Sequence, residues 1–410
     1  MGIWALFLGI VAMTETIKQG LLRNPTIKFL SEPEYINDRN KIQTASLIIN
    51  IAFSVLAIGV VFFGGHLIVN WLNTPELYPL IEQGILLIIL LIPFNHFEVL
   101  LQAHFKFQPI FYGYFLRQGL FLLSVILLLL FHKSSLTLIN LVKLQILALA
   151  CGTVVLLYFS REYFYRKFDA EKKTMLRMFH FGKFIFGTNV FSAFGRSADQ
   201  FITAGLISAD VVAYYNVVAR INNMMDVPSL AVADVLFPKN VQAMAISGEE
   251  KVKYYFERMV GTIISIVAPV SLLIFCVPHL FIKLLAGSKY LSAVPILQTV
   301  ILFSFLRPFS YQFGATMDAI GKPKINFWVS LLTMCLNYGC MYIGLRYTGW
   351  MGAAYGTVVA AILSFSIMCV VLNKTIGVSL MSTFRYVGFA YREMVDILKK
   401  LLDKSTDASS

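Results

Sequence analysis

PIFYGYFLRQGLFLLSVILLLLF, from Pro109 to Phe131, is continuous apolar sequence interrupted by one charge, Arg117. A helix needs about 20 mostly apolar residues to cross a bilayer, and this run provides them. It lacks the strict alternation over ten residues that a membrane β-strand requires. The stretch therefore predicts a transmembrane helix. Arg117 sits where an unpaired charge costs several kcal/mol, so it calls for a partner or water.

Working outward, the same reading repeats along the chain. Spans are predicted over 2–30, 43–64, 78–103, 109–131, 137–160, 183–207, 210–246, 255–286, 290–319, 325–346 and 350–373. The 410 residues are 58% hydrophobic and only 14% charged, where a soluble domain carries about a quarter charged. Little chain remains for a soluble domain. The predicted class is all-α: a polytopic membrane protein of about eleven helices, embedded in a lipid bilayer.

The net charge of +12 would suggest nucleic acid in a soluble protein. Here the basic residues gather in alternate loops: Arg39, Lys41, Lys106, Arg161, Arg166, Lys167, Lys172, Lys173, Arg177, Lys251, Lys253, Lys322 and Lys324. The opposite loops hold little beyond Lys133, Lys289 and Arg346. The positive-inside rule makes the first set cytoplasmic, together with the C-terminus and its Lys399, Lys400 and Lys404. No nucleic-acid partner is implied. Within the tail, Met394–Leu402 has the pattern of a short amphipathic helix on the membrane surface, with a solvated tail as the alternative. Eleven spans and a cytoplasmic C-terminus leave the N-terminus outside without a signal peptide, so a further helix before Met1 is expected.

An internal repeat orders the spans. His66-Leu67-Ile68, Pro93-Phe94 and Gln108-Pro109 find counterparts in His279-Leu280-Phe281, Pro308-Phe309 and Lys322-Pro323, at nearly equal spacing. In this register the span 2–30 matches 210–246. The implied organisation is an N-terminal lobe over 1–160 (five helices, the first of six missing), a basic cytoplasmic linker over 161–182, a six-helix C-terminal lobe over 183–373 and a cytoplasmic tail over 374–410. Same-direction halves suggest a pseudo-twofold axis along the membrane normal, a common transporter plan.

The residues also resemble a family. Gly2-Ile3-Trp4-Ala5-Leu6-Phe7-Leu8-Gly9-Ile10, ending in Ile27-Lys28-Phe29-Leu30-Ser31-Glu32, is similar to the second helix of polysaccharide-biosynthesis flippases. Phe181-Gly182-Lys183, Ala198-Asp199-Gln200-Phe201, Tyr214-Tyr215-Asn216-Val217 and Leu236-Phe237-Pro238 resemble the start of their C-terminal half, and the Gly321-Lys322-Pro323 turn fits as well. These are the O-antigen and lipid-linked oligosaccharide flippases of the multidrug/oligosaccharidyl-lipid/polysaccharide exporter superfamily. The resemblance implies twelve helices in two six-helix lobes around a central cavity, in the bacterial inner membrane. It implies translocation of an undecaprenyl-pyrophosphate-linked glycan from the cytoplasmic to the periplasmic leaflet. Polysaccharide polymerase and chain-length machinery are the protein partners it suggests.

Charges within spans are the informative positions. Lys18, Arg23, Arg117, Arg196, Arg220 and Arg307 are the candidate substrate-binding cations of a hydrated cavity between the lobes. Arginine suits a pyrophosphate because its planar fork donates paired hydrogen bonds and stays protonated. Asp199, Asp226 and Asp234 are candidates for coupling to H⁺ or Na⁺, or for neutralising a cavity arginine. Glu15–Lys18 and Arg196–Asp199, each three residues apart, read equally as local ion pairs fixing helix packing. Arg117, Arg220 and Arg307 have no obvious local partner in sequence. Tyr214 and Tyr215 could stack on sugars or merely mark an interface. Pro93 and Pro308 could bend their helices at matched positions.

Nothing indicates an enzyme or a cofactor. There is no Walker A loop, H-E-x-x-H, nucleophile elbow or Rossmann fingerprint, and the six histidines are scattered. The five cysteines lie in apolar stretches and read as small core residues. Three alternatives to a flippase remain at this level. A cation-coupled multidrug exporter of the same superfamily predicts an acidic or apolar cavity. A membrane-embedded glycan polymerase or acyltransferase predicts a large loop with clustered Arg or His. A non-transporting scaffold has no need of intramembrane arginines.

Overall fold

The computed structural model describes residues 2–72, 75–131, 137–164, 167–206 and 209–407. Among them are fourteen α-helices, joined by short 3-10 segments. The chain divides into two compact units, residues 1–193 and 194–410.

The first unit holds α1 (Gly2–Ser31), α2 (Arg39–Leu72), α3 (Tyr78–Ala103), α4 (Phe107–Phe131), α5 (Leu138–Ser160) and the start of α6 (Lys172–Leu206). Its core is built on α3, which packs on α1, α2 and α5. Phe94, Leu100 and Leu101 of α3 are fully buried, together with Phe7, Ile42 and Leu156. By contrast α4, the quoted stretch, exposes Phe111, Phe115, Leu122 and Leu130, as a helix facing lipid does. It approaches α5 through glycines: a Cβ on Gly113 would lie 2.6 Å from Leu156 Cδ2. Small residues allow this in membranes, where close backbone packing replaces the hydrophobic drive between helices. Gly20 of α1 does the same against α6, since a Cβ there would fall 2.6 Å from the Phe186 backbone nitrogen.

The basic linker is strapped to the start of α2. Gln43 Nε2 donates to the Tyr163 carbonyl at 2.8 Å, the Asp169 amide donates to Thr44 Oγ1 at 3.1 Å, and Lys41 pairs with Glu171 at 3.5 Å. Glu171 also accepts from Thr174 Oγ1, and this hydrogen bond first, then the Lys41 charge, holds its carboxyl below the ordinary range.

The second unit holds α7 (Ala209–Ser247), α8 (Glu249–Cys276), α9 (Pro278–Leu285), α10 (Val294–Ile301), α11 (Arg307–Ala319), α12 (Pro323–Thr348), α13 (Gly352–Ile376) and α14 (Leu380–Asp407). Helices α12 and α13 form a hairpin whose backbones meet at Gly344, Gly352 and Gly356. Phe309, Phe313 and Met317 of α11 pack with Phe256 of α8 in one core cluster.

Several predicted boundaries change. The span 255–286 is two helices, α8 and α9, broken at Val277 before Pro278. The span 290–319 is also broken: Ser288–Ile301 and Ser304–Ala319 meet at 42°. Pro308 explains this break, because it has no N–H and its ring excludes the Ser304 carbonyl from helical bonding. Pro93 sits inside a continuous α3, so the matched prolines do not produce matched breaks. The segment 374–410, expected as a tail with a short helix near 394–402, contains the 28-residue α14. Cys276 and Cys335 are exposed rather than packed.

The turns after α3 and after α11 share one geometry. Lys106 N donates to the Leu101 carbonyl and Lys322 N to the Met317 carbonyl, both at 2.9 Å. Each closes a Schellman-type cap, which needs a left-handed residue. Gly321 fills that position in the second unit (φ 81°) and Phe105 in the first (φ 58°).

Six helical segments among the described residues are long and apolar enough to cross a membrane, or seven if the bent pair is one span. Helices α1, α6 and α7 are not among them. Of these, α1 carries Glu15, Lys18 and Arg23, and α7 carries Arg220, Asp226 and Asp234.

Candidate functional site

The first unit gathers charge around α1, α3 and α4. Lys18 is 3% exposed, and its Nζ donates to Ser54 Oγ of α2 at 2.9 Å. Arg23 Nε donates to Gln102 Oε1 of α3 at 3.0 Å. Arg117 is 9% exposed, with its guanidinium 5.1 Å from the centroid of the Phe94 ring. Tyr114, on the same helix, donates its hydroxyl to Glu98 Oε2 at 3.1 Å and meets Phe94 edge-on. Glu15 lies within Coulombic range of Arg117 and Lys18, and the Tyr114 hydroxyl lies in the field of Glu98, Arg23, Glu15 and Arg117.

These residues form one constellation. Three cations (Lys18, Arg23, Arg117) face two carboxylates (Glu15, Glu98), which leaves one positive charge in excess. Stacking on Phe94 engages the face of the Arg117 guanidinium, while its in-plane N–H groups suit a bidentate oxyanion. Lys18 and Arg23 do not simply snorkel to water, because each is tied to a polar side chain on a neighbouring helix. The Glu15–Lys18 pairing is part of a larger cluster that also includes Arg117.

The second unit contains a polar seam between α7 and α11. Asp226 is 5% exposed on its side chain and Arg307 37%. Asp226 Oδ2 accepts from Arg307 Nη2 at 2.5 Å and from Tyr311 Oη at 2.9 Å. Ser304 Oγ donates to Asn222 Oδ1 at 3.3 Å, Gln312 Nε2 to the Ser229 carbonyl at 2.8 Å, and Asn240 Nδ2 to Thr316 Oγ1 at 3.1 Å. Residue numbers rise together along both helices, so α7 and α11 run parallel. The oxygens Ser229 Oγ, Asn240 Oδ1 and Gln312 Oε1 are buried with no hydrogen-bond partner. Such atoms are uncommon in a folded protein and leave the seam with unused acceptor capacity.

The structure thus brings some sequence candidates together and separates others. Lys18, Arg23 and Arg117 share one cluster. Arg307, expected without a local partner, is paired with Asp226 across 81 residues of sequence. Arg220 and Asp234 are exposed on α7. The side chains of Arg196 and Asp199 lie outside the described residues. Tyr215 is committed elsewhere: its hydroxyl donates to the Trp350 carbonyl at 2.7 Å and accepts from the Ala354 amide at 3.0 Å. Sequence reasoning missed Tyr114, Gln102, Ser54, Phe94 and Tyr311. Of these, Tyr311 follows Arg307 by one helical turn, a spacing that could have flagged it.

A multi-pass, all-helical membrane protein with charged side chains buried inside each of two units has the construction of a transporter rather than an enzyme. Solved structures carry the same fold. A mutant of the Vibrio cholerae MATE transporter VcmN superposes with a TM-score of 0.80 at 13% identity, over 92% of this chain and 89% of that one. An outward-facing multidrug resistance MATE family transporter of the MOP superfamily gives 0.77 at 17% identity, over 91% and 87%. The polysaccharide biosynthesis protein family model matches residues 2–295, and the chain belongs to that family. The lipopolysaccharide biosynthesis protein WzxC of Escherichia coli K12 is 21% identical over 406 residues, 96% of this chain and 76% of that one.

Proposed function

We propose that the chain is a flippase. It moves an undecaprenyl-pyrophosphate-linked oligosaccharide, an O-antigen or exopolysaccharide repeat unit, from the cytoplasmic to the periplasmic leaflet by alternating access. The observation that carries this reading is the constellation of buried Lys18 and Arg117 with half-buried Arg23, and its excess positive charge. Pyrophosphate needs such donors to leave water, because hydrocarbon supplies none. The lipid tail can remain in the bilayer while the charged head crosses. Membership of a polysaccharide biosynthesis family, and a relative named for lipopolysaccharide biosynthesis, support a glycan head.

Arg307 is the candidate ligand in the second unit, held in reserve by Asp226 and Tyr311. Protonation of Asp226, or binding of Na⁺ near it, would release the guanidinium for an anion. This makes Asp226 the favoured coupling acid over the exposed Asp234, with Asp199 as a further candidate. The bacterial inner membrane, a cytoplasmic C-terminus, and contacts with the polymerase and chain-length machinery belong to the same proposal.

The competing reading is a cation-coupled multidrug exporter, which the MATE-like fold favours. A cationic interior disfavours it, because positive cargo would be repelled. The test is reconstitution of the full chain with a fluorescent undecaprenyl-pyrophosphate oligosaccharide, with leaflet exposure read by a membrane-impermeant quencher. Protein-dependent transfer that is lost in Arg117→Leu is expected. Transfer equal to that of protein-free vesicles would sink the proposal.

A further inference from the structure

Helix α14 joins the rest of the second unit in a way that no transport role explains. It follows α13 through a left-handed turn at Gly377 (φ 68°), where Asn373 Nδ2 donates to the Val378 carbonyl at 3.1 Å. Its N-terminus is fixed to α8: the Ser379 amide donates to Oε1 of the buried Glu257 at 2.8 Å. A carboxylate at a helix N-terminus satisfies a free N–H and complements the helix dipole. Next, Thr383 and Tyr386 cross α8 at Gly261, where a Cβ would lie 2.7 Å from Tyr386 Cβ and 2.8 Å from the Thr383 carbonyl oxygen. Tyr386 meets Tyr254 edge-on, and Arg258 Nη2 pairs with Glu393 at 3.3 Å.

The register of these contacts gives the orientation. On α14 they run from Ser379 to Glu393, about 21 Å of helix at 1.5 Å per residue. On α8 they fall within Tyr254–Gly261, about 10 Å. Helices lying side by side would use equal lengths, so α14 crosses α8 steeply. Since α8 is long and apolar enough to span the membrane, α14 lies along the membrane plane. The crossing sits just past the charged first turns of α8, which hold Glu249, Glu250, Lys251 and Lys253. That is the depth at which water gives way to acyl chains.

The faces of α14 fit this placement. Thr383 and Ala390 are buried on the α8 side. Beside them Leu380, Phe384 and Tyr391, four and seven residues apart, share one exposed face, with Met381 at its edge. Arg385 and Arg392, seven apart, flank that stripe and are exposed. Phe389 and Asp396 lie further round the same flank, away from the stripe. Glu393 pairs with Arg258, which leaves Arg385, Arg392 and Asp396 on that flank, a net positive charge.

We propose that α14 is an interfacial anchor that seats on an anionic lipid leaflet. Leu380, Phe384 and Tyr391 enter the acyl boundary, and Arg385 and Arg392 meet lipid phosphates. An apolar stripe bordered by cations, lying in the membrane plane, binds in proportion to its buried area and to the anionic charge of the lipid. The two arginines together favour the seated state by about 30-fold.

The test uses the full chain in a cysteine-free background, in nanodiscs of phosphatidylcholine with or without phosphatidylglycerol. Nitroxide labels are placed at Phe384→Cys, Tyr391→Cys, Phe389→Cys and Asp396→Cys. With anionic lipid, labels at 384 and 391 should be more accessible to oxygen than to a water-soluble nickel chelate, and labels at 389 and 396 the reverse. The Arg385→Gln/Arg392→Gln variant should lower the ratio of seated to unseated helix about 30-fold. Equal accessibility at 384 and 389 overturns the proposal, and this comparison needs no change to the arginines. A depth indifferent to lipid charge removes the anionic part. Dipolar coupling between 384 labels on two chains in one disc would assign the stripe to a second copy instead.

Discussion

The Asp226–Arg307 pair permits a quantitative expectation. Asp226→Asn preserves shape and one acceptor oxygen, so what is lost is the charge on an Oδ2 that receives both Arg307 and Tyr311. Polar pairs inside membrane bundles average about 0.6 kcal/mol and reach about 1.7. Charge-assisted bonds are about twice as strong as neutral ones. Arg307 is 37% exposed on its side chain, and solvent screening at that end keeps the value well below the 3–5 kcal/mol of a fully buried pair. The expected coupling is therefore about 1–2 kcal/mol, roughly 5- to 30-fold in an equilibrium. A double-mutant cycle of Asp226→Asn and Arg307→Gln, read by reversible unfolding of the purified protein in bicelles, measures it directly. Additivity within about 0.3 kcal/mol would refute the reasoning, because independent sites behave that way. The same cycle bears on transport: freeing Arg307 should raise affinity for inorganic pyrophosphate while slowing turnover.

Three further expectations follow from the geometry. Gly20→Ala should destabilise by about 1–3 kcal/mol, since the new methyl meets Phe186 backbone rather than a movable side chain. Gly9→Ala, with nothing within 4 Å, should gain about 0.5–1 kcal/mol; thermal midpoints compare the two. Arg117→Leu should cut glycolipid transfer by about 10- to 100-fold, the worth of one hydrogen bond to a charged group, and Arg117→Lys should recover little because the stacked planar group is lost. The linker strap should loosen in acid. The folded Glu171 carboxyl lies below its ordinary value of 4.5, so its contribution is complete above that pH and disappears as pH falls through the lowered value. Protection factors at 167–171, corrected for the intrinsic pH dependence of amide exchange, should fall only in that acid range, and a fall near neutrality would contradict it.

Helices were legible where composition alone decides, as at 109–131, where the apolar run and α4 differ by two residues at one end. Breaks were less legible. Leu302–Leu306 is nearly as apolar as the helix before it, and a proline serves the first turn of a new helix as well as it interrupts an old one. Helix α14 was hidden because its docking depends on Gly261, more than a hundred residues earlier, and on a carboxylate at Glu257 that sequence gives no reason to place there. The site was half visible. A charge inside an apolar run identifies itself, as Lys18, Arg23, Arg117, Asp226 and Arg307 do. Their partners are neutral residues on other helices, and a Gln102 or Ser54 has nothing local to mark it. Phe105 shows the limit from another side: the repeat pairs Lys322-Pro323 with Gln108-Pro109 and so sets Phe107 opposite Gly321, whereas the backbone puts Phe105 in the matching left-handed position.

The polarity of α1, α6 and α7 bears on how the chain enters the membrane during synthesis. A charged residue at a helix centre disfavours insertion by about 2.5–3.5 kcal/mol, and α7 alone carries Arg220, Asp226 and Asp234. When Asp226 leaves the ribosome, Arg307 is still 81 residues away, about 4–16 s at 5–20 residues per second. For that interval α7 lacks the partner that makes its burial tolerable. Stable burial of α7 therefore waits until α11 arrives with Arg307, Tyr311 and Gln312.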